Sequence, residues 1–275
     1  MKVERKISKC AKHRGISWTG FAGGLMLLTG ILAIGSCKKP EPKAGDVVKN
    51  AGGMEFAYVP PGNFKMGWEA GSTDGRNAPV HQVTFAKGFY LGRDEVTQGQ
   101  WEKVMSNNPS SFSSKDCGPN CPVNSISWDN VQEFIKKMNA QNDGYTYRLP
   151  SESEWEYACR AGAGPDQPED QTANAWYDKD SDDKLHPVGQ KKANGWGLFD
   201  MLGNVEEWVM DNSHETYASA PADGSAWTTG GESGKHVWRG GSYRDNFVSS
   251  TYRNWGESTS DDYRHGVRPV AVPKE

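Results

Sequence analysis

Glycine and proline are frequent enough in this chain to restrict the kind of fold it can adopt, with 32 Gly and 15 Pro among 275 residues. Glycine enters backbone conformations that other residues avoid, and proline interrupts helices and inner strands. We therefore expect a fold rich in loops, with short regular elements. Segments 80–85 and 89–91 have the composition of short strands. From residue 52 onward no stretch has the composition of a linker, which favours one large domain.

Three short helices are predicted from capping boxes, in which an N-cap side chain and a side chain three residues later cap each other's backbone N–H groups. Thr97 with Gln100 and Ser151 with Glu154 form two such pairs, and Ser127 precedes another helix. Apolar residues then recur at helical spacing. The helix residues expected in the core are Trp101, Val104, Met105, Val131, Phe134, Ile135, Met138, Trp155 and Ala158.

The N-terminal segment has the pattern of a secretion signal. A basic stretch over residues 2–14 precedes an apolar stretch over residues 16–34, which leads into Gly35-Ser36-Cys37. Small residues before a cysteine resemble a lipobox, so residues 1–36 are predicted to be a lipoprotein signal peptide, and Cys37 to be lipidated. An uncleaved membrane anchor is the alternative. We expect the protein to be exported and lipid-anchored, at the outer membrane or cell surface.

The mature chain is predicted to begin with a tether and to be acidic. Residues 37–51 are polar and contain two prolines, which is typical of a flexible tether. The whole chain has a net charge of −4, and loss of a signal segment of charge +5 leaves about −9. Nucleic-acid binding needs a basic surface, so no nucleic-acid partner is expected.

Three cysteines remain in the mature chain besides Cys37. Cys117 and Cys121 flank a Gly-Pro turn, and export to an oxidising compartment permits a small disulfide loop there. Metal binding by the same pair is the alternative, although no His or Cys pair lies nearby in the sequence. Cys159 falls within a helical pattern and is predicted to be a buried small residue.

Seven motifs along the chain together resemble the formylglycine-generating-enzyme family, also called the sulfatase-modifying-factor family. The resemblance extends from Gly52 to Val270, and it implies that residues 52–275 form one α+β domain. The implied fold is the C-type-lectin-like fold of that family, with little regular secondary structure. The motifs are Phe64–Gly67, Pro79–Val83, Asp94–Thr97, Cys121–Trp128, Arg148–Ala158, Gly197–Trp208 and Arg239–Ser242.

The resemblance does not extend to the residues that carry the family's oxidase chemistry. The generating enzymes use two redox cysteines after the Gly-Gly-Ser motif, together with copper. Asp245 and Ser250 stand at about those positions here, and no cysteine follows Cys159. A thiolate is needed to hold copper in this way, so we expect no copper, no catalytic residues and no enzyme activity. The alternative is a metal-dependent oxidase of the same family with altered chemistry.

A calcium site is implied by the resemblance. In the family, a loop binds Ca²⁺ through two side chains and two main-chain carbonyls, and this pattern maps onto Asp200, Gly203, Val205 and Glu207. Such hard oxygen ligands suit Ca²⁺. One departure is Glu206, which stands where the family usually has Trp. We expect a structural role for the ion, and ordinary surface acids are the alternative explanation.

Residues 238–268, here called the C-terminal segment, have the composition of a binding surface. Tyr, Trp and Arg side chains anchor many interfaces, and interspersed Ser, Asn and Asp offer adaptable hydrogen bonds. Trp238 and the Gly240-Gly241 turn are expected to belong to the core. The predicted ligand-binding residues are Tyr243, Arg244, Asp245, Asn246, Phe247, Tyr252, Asn254, Trp255, Asp261, Asp262, Tyr263 and His265.

The C-terminal segment also resembles that of treponemal variable surface lipoproteins, which are varied by diversity-generating retroelements between an Arg-Gly-Gly-Ser motif and a Gly-Phe-Arg motif. Here the second motif reads Gly266-Val267-Arg268. The resemblance implies a surface-tethered lipoprotein that binds a protein or glycan ligand through a variable patch. A structural envelope or gliding-type lipoprotein with a fixed partner is the alternative.

Overall fold

A computed structural model describes residues 40–68, 75–111, 117–164 and 171–274. The predicted signal peptide over residues 1–36 and the predicted lipidation site Cys37 lie outside the described residues. Within the described part no helix is long and apolar enough to cross a lipid bilayer. The elements in chain order are β1 (Val47–Lys49), β2 (Glu55–Val59), β3 (Gly62–Met66), β4 (His81–Phe85), β5 (Phe89–Gly92), α1 (Gln98–Met105), α2 (Trp128–Ala140), β6 (Tyr145–Arg148), α3 (Glu152–Arg160), β7 (Glu206–Ser213), β8 (Glu232–Arg239), β9 (Arg253–Glu257), β10 (His265–Val267) and β11 (Val270–Pro273).

The strands of the described ranges form three sheets, and three helices accompany them, so the predicted α+β class is confirmed. The largest sheet has the order β1-β2-β5-β11-β6, which places the last strand, β11, between β5 and β6. The second sheet has the order β10-β7-β8-β9, with β10 parallel to β7, and β3 pairs with β4 in the third. Because only two residues separate β10 from β11, the end of the chain joins the two larger sheets.

The helices begin where the sequence predicts. Thr97, Ser127 and Ser151 each cap a helix, and each cap is reciprocated from the third helical position. The indole ring of Trp101 stacks on the phenyl ring of Phe134 at 4.7 Å, which joins α1 to α2. The expected core face of α2 is buried. Two residues of α1, Val104 and Met105, are only partly buried against the same core.

The tether predicted over residues 37–51 is shorter than expected. Val47–Lys49 forms β1, which pairs antiparallel with residues 55–57 of β2. Val48 packs against the hydrophobic core. Two β-branched residues in sequence favour an extended strand, and the neighbouring sheet edge supplies hydrogen-bond partners for their backbone. The folded part of the chain therefore begins before residue 52.

A buried ion network ties α3 to β8, where the C-terminal segment begins, and to β9 within that segment. Glu152 of α3 pairs with Arg239 of β8 at 3.1 Å and with Arg253 of β9 at 2.7 Å. Glu156 pairs with Arg239 at 2.6 Å. The side chains of all four are at most 5% exposed. Since a buried charge without a partner is costly, the network fixes β8 and β9 against α3.

Candidate functional site

The C-terminal segment leaves β8 through a glycine turn and then follows an irregular path. Gly240 and Gly241 have φ values of 96° and 73°, which glycine adopts without strain. A Cβ on Gly241 would lie 2.8 Å from Val248, so the turn also packs closely. Trp238 is buried, as predicted. Residues 243–252 then form turns before β9 begins.

Two of the predicted ligand-binding residues are buried, so the structure does not place them on the exposed surface that the sequence predicts. Tyr243 is fully buried and packs against Leu185 and Val205. His265 is 1% exposed, and its ring lies against the indoles of Trp208 and Trp238. Their aromatic rings fill core space between the turn and the second sheet. Periodicity could not show this, because residues 243–252 follow no helical or strand pattern.

The predicted residues that reach the surface are Arg244, Asn246, Phe247, Asp261 and Tyr263, here called the outer patch. Phe247 is 53% exposed and Tyr263 is 37% exposed, which is unusual for large aromatic side chains. The Arg244 guanidinium lies 4.9 Å from the centre of the Tyr263 ring and donates a hydrogen bond to its hydroxyl at 3.2 Å. Arg244 thus joins the two ends of the outer patch.

Asp183 belongs to the same surface, although no pattern in the sequence predicts this. Its carboxylate pairs with Arg244 at 2.6 Å. The loop that carries it is attached to the C-terminal segment by two further bonds. The backbone N–H of Asp178 donates to the carbonyl of Asp245 at 3.2 Å, and the Ser181 hydroxyl donates to the carbonyl of Tyr243 at 2.7 Å. A loop distant in sequence therefore supports the outer patch from one side.

Close to the outer patch lies a group of polar side chains, of which Glu206 and His265 are buried and the others are half-buried. The Tyr252 hydroxyl donates to Glu206 at 3.2 Å, and Glu206 also faces the His265 ring at 3.4 Å. Arg264 pairs with Asp262 at 3.0 Å. Burial raises the pKa of Tyr252, and the Glu206 carboxylate raises it further. Of the predicted site residues in this group, Tyr252 and Asp262 are therefore partly accessible and held by charged neighbours.

The positions of the oxidase cysteines hold side chains that serve the turn. The Asp245 carboxylate accepts hydrogen bonds from the Ser242 backbone N–H at 2.6 Å and from the Ser242 hydroxyl at 2.7 Å. Burial raises the pKa of Asp245, and Glu206 adds to this rise. Ser250 is fully buried. Neither side chain provides a thiolate for copper.

Asn254 and Trp255 lie on β9, in the middle of the segment. The Arg76 guanidinium donates to Asn254 at 3.2 Å and lies 4.4 Å from the centre of the Trp255 ring. The Trp255 indole N–H donates to Glu232 at 3.2 Å. Both predicted residues are half-buried, so they form a second and less exposed part of the predicted surface.

The predicted calcium ligands surround an irregular turn. Asp200 and Gly203 have φ values of 49° and 76°, and a Cβ on Gly203 would lie 2.1 Å from the Trp176 carbonyl oxygen. Asp200 is buried, and burial raises its pKa to about 6. One carboxylate oxygen of Asp200 accepts from the Gly189 N–H at 2.6 Å, whereas the other has no hydrogen-bond partner among the described residues.

Glu207 is the most constrained of the predicted calcium ligands. Its carboxylate pairs with Arg268 at 2.7 Å and accepts from the Trp155 indole N–H at 2.7 Å. Arg268 also donates to the Asp200 carbonyl at 3.1 Å, so Asp200 and Glu207 lie around one guanidinium. Burial, Asp200 and Glu207 hold the pKa of nearby Glu95 well above its usual value. Buried acids therefore outnumber the single arginine here.

The cysteines behave as small structural residues. Cys117 and Cys121 form a disulfide, and Cys159 is buried and lies outside that disulfide. The disulfide loop is fixed on two sides, because the Pro119 carbonyl accepts from the Gly99 N–H at 2.9 Å and Cys117 packs against the cluster that contains Tyr243. The loop therefore supports the underside of the C-terminal segment.

The sequence of this chain is similar to those of known proteins. The family described as the sulfatase-modifying factor enzyme 1-like domain matches residues 43–272. The chain belongs to this family. It is 31% identical over 184 residues to the chaperone protein LppX of Paenibacillus barcinonensis, covering 46% of this chain and 63% of that protein. It is 27% identical over 213 residues to the formylglycine-generating enzyme of Mus musculus, covering 56% of this chain and 57% of the enzyme.

The chain thus spans about three-fifths of the length of these two curated relatives. Proteins described as inactive formylglycine-generating enzymes also match, among them one from Bos taurus at 29% identity over 126 residues, with 38% of each chain covered. The family therefore contains active and inactive members, and membership alone does not make the chain an enzyme.

Solved structures share the fold. PvdO from Pseudomonas aeruginosa superposes with a TM-score of 0.74 at 30% identity, covering 84% of this chain and 99% of that one. Treponema denticola variable protein 1 superposes with a TM-score of 0.72 at 23% identity, covering 83% and 99%. The predicted family fold, α+β with few helices and curled sheets, is confirmed.

Proposed function

We propose that the chain is a surface-tethered lipoprotein that binds a protein or glycan ligand through the outer patch, without catalysis. The observation that carries this proposal is the exposure of Phe247 and Tyr263 on a scaffold that buries its other aromatic residues in the C-terminal segment wholly or in part. Aromatic side chains with an adjacent arginine are the residue types that contribute most to binding energy at interfaces.

The ion pairs around the outer patch support a rigid binding surface. Arg244 is held by Asp183 on one side and by Tyr263 on the other. Because these side chains are already ordered, a ligand loses less conformational entropy on binding than it would against a mobile loop. Acidic and basic side chains occur together around the outer patch. Mixed charges of this kind can pair with the charges of a protein or glycan partner, whereas a nucleic acid needs an excess of basic groups.

The absence of catalysis is supported by the residues at the two cysteine positions. Asp245 caps the Ser242 turn and Ser250 is buried. We expect no formylglycine when the purified chain is incubated with copper and a cysteine-containing sulfatase-motif peptide. Formation of the aldehyde, detected by mass spectrometry, would contradict the non-catalytic assignment and favour an oxidase with altered chemistry.

Binding by the outer patch can be tested with arrays of extracellular protein domains and of glycans. Wild-type chain is compared with a Phe247→Ala, Tyr263→Ala double variant and with Val272→Ala, an exposed apolar position outside the segment. Probes that use the outer patch should lose signal with the double variant only. If every bound probe is retained by the double variant, the patch is not the binding surface.

We also propose that the C-terminal segment is diversified in the manner of the variable proteins. The name of the treponemal structural neighbour describes a variable protein. Substitution at the exposed positions of the outer patch, Arg244, Asn246, Phe247, Asp261 and Tyr263, would change the surface, whereas Tyr243 and His265 lie in the core and would tolerate change poorly. A near-copy of the coding region for residues 238–268, differing mainly at adenines and close to a reverse transcriptase gene, is the expected finding. An invariant segment in every isolate would instead favour a fixed structural partner.

Export with lipidation at Cys37 is proposed from the lipobox-like pattern of the sequence. Metabolic labelling with a fatty-acid analogue should modify the wild-type chain and leave a Cys37→Ala variant unmodified. Protease accessibility on intact cells then distinguishes display on the outer face of the membrane from attachment to its inner face. Equal labelling of both variants would exclude this anchor.

A structural Ca²⁺ bound by Asp200, the carbonyls of Gly203 and Val205, and Glu207 is a further proposal. No group of three or more His, Cys, Asp or Glu residues in the described ranges is arranged to hold a metal ion, so the site depends on main-chain oxygens. The free, buried oxygen of Asp200 and the local excess of buried acids fit a divalent cation. Chelator should lower the melting temperature of the wild type but not of Asp200→Asn. Identical wild-type melts with and without chelator would exclude the ion.

A further inference from the structure

A groove of about 410 Å³ lies outside the outer patch, between the end of β7 and the start of β8. Its rim is exposed, its floor includes the buried Ser213, and half-buried Trp227 forms part of its wall. The volume is in the range of small-molecule sites. The lining residues are Ser213, His214, Glu215, Thr216, Ala218, Ser219, Trp227, Gly231 and Glu232.

The aromatic wall of the groove is rigid. The rings of Trp227 and His214 stack at 3.4 Å with an angle of 5° between their planes. The two nitrogens of the His214 ring face the carbonyl oxygens of Asn212 and Thr229 at 3.1 and 3.2 Å, which fixes the ring plane. The Trp227 backbone N–H donates to the buried Asp211 carboxylate at 2.8 Å. Because one face of the Trp227 indole packs on His214, the indole can contact a ligand in the groove through its other face or its edge.

The polar groups of the groove are hydroxyls and carboxylates. The Ser213 hydroxyl is buried and has no hydrogen-bond partner among the described residues, which points to a ligand or water in the groove. Thr216, Ser219 and Glu215 stand on the exposed rim. No Lys or Arg lines the groove. Glu232 is neutralised by Lys235 at 2.5 Å, so Glu215 is the lining carboxylate with a net charge to offer.

We propose that this groove binds a neutral hexopyranose unit of a glycan. A pyranose ring presents C–H groups on one face, which pack on an aromatic ring, and hydroxyl groups at its rim, which pair with carboxylates and hydroxyls. The absence of lining cations disfavours uronic acids and sulfated sugars. Glu215, a lining carboxylate, can accept hydrogen bonds from the hydroxyl groups of a pyranose, and a basic side chain is the competing ligand that the test below distinguishes.

The groove is distinct from the outer patch but connected to β9. Glu232 on the groove rim accepts the hydrogen bond from the Trp255 indole. Phe247 and Tyr263 do not line the groove. The proposal therefore does not depend on the ligand of the outer patch, and each of the two sites can fail in experiments without the other.

The test mixes the purified full chain with each of the disaccharides cellobiose, maltose and N,N′-diacetylchitobiose. Binding is measured by saturation-transfer NMR and by the change in tryptophan fluorescence. At least one of these should bind, and Trp227→Ala should weaken that binding about tenfold or more. Glu215→Gln, an exposed change that leaves the fold intact, should weaken it severalfold. Val272→Ala, a change at an exposed apolar residue outside both the groove and the outer patch, should leave it unchanged.

Three outcomes would overturn the proposal. The first is that none of the three disaccharides binds at millimolar concentration. The second is that wild type, Trp227→Ala and Glu215→Gln bind them equally, and the third is that N-acetyl-arginine amide binds in place of the sugars. The last outcome would assign the groove to a basic side chain of a protein partner. Loss of outer-patch binding in Phe247→Ala with retained disaccharide binding would support the independence of the two sites.

Discussion

Replacing Arg239 by alanine removes the centre of the buried network that holds the C-terminal segment. The guanidinium contacts Glu152 at 3.1 Å, Glu156 at 2.6 Å and the Ser250 carbonyl at 2.6 Å. In the variant, Arg253 still neutralises Glu152, but Glu156 loses one of its two arginines and the Ser250 carbonyl loses the Arg239 side chain as a hydrogen-bond donor. Removal of one partner from a buried pair costs about 3–5 kcal/mol. An unsatisfied buried carbonyl costs a further 1 kcal/mol or so.

Because Glu152 and Glu156 each keep another arginine, the lower end of the ion-pair range applies, and the total is about 4 kcal/mol. Urea unfolding at pH 7, followed by tryptophan fluorescence, measures this loss. With a slope of about 2 kcal/mol per molar urea, the midpoint should fall by about 2 M. The matched control is Arg244→Ala, which removes an ion pair at the surface and should cost less than about 1 kcal/mol.

Similar midpoints for Arg239→Ala and Arg244→Ala would refute the reasoning, since burial would then have no effect on the energy of these pairs. A large loss in both variants would equally contradict it. An intermediate control is Arg239→Lys, which keeps the charge but cannot reproduce contacts made through both terminal nitrogens.

Three further predictions concern stability. Replacing Cys117 and Cys121 together by serine should lower the free energy of unfolding by about 2 kcal/mol, because the disulfide closes a short loop; an unchanged urea midpoint would contradict this. Burial alone raises the pKa of Glu152, but its two arginine partners outweigh burial and lower it. The stabilisation is therefore present above the unfolded pKa of about 4.5 and is lost as the pH falls through the lower folded value, so acid should reduce the melting temperature more in wild type than in a Glu152→Gln variant. Gly203→Ala should cost more than about 2 kcal/mol, because its Cβ would lie 2.1 Å from a carbonyl oxygen, whereas Gly197→Ala, at a similar φ but in open space, should cost about 1 kcal/mol; equal losses would exclude the close approach as the cause.

Most of the correct predictions depend on short stretches of sequence. The helix caps at Thr97, Ser127 and Ser151 need only residues within three positions. The sequence also predicts β4 and β5, but not the other nine strands of the described residues. Most of these nine strands are short, several contain glycine, and many pair with strands that are distant in the chain. Strand pairing of this kind depends on partners that local composition does not identify.

The candidate site, too, could be predicted from the sequence only in part. The composition of the C-terminal segment predicted a surface, and the order of the seven motifs predicted the family. Tyr243 and Tyr263 belong to the same residue type and the same segment, yet one is fully buried and the other 37% exposed. The supporting residues Asp183 and Arg76 come from loops far away in sequence, and nothing in their local sequence marks them.

The sequence by itself therefore determined the helix starts, the family, the missing thiols and the residue types available for binding, because each depends on which residues are present and on their near neighbours. Only the tertiary structure decided which of those residues face solvent, which acids gather around Arg268, and which aromatic pair lines the groove at Trp227. Those features arise where loops and strands distant in the chain pack together. Burial and charge pairing there depend on the whole fold, and not on any one stretch of it.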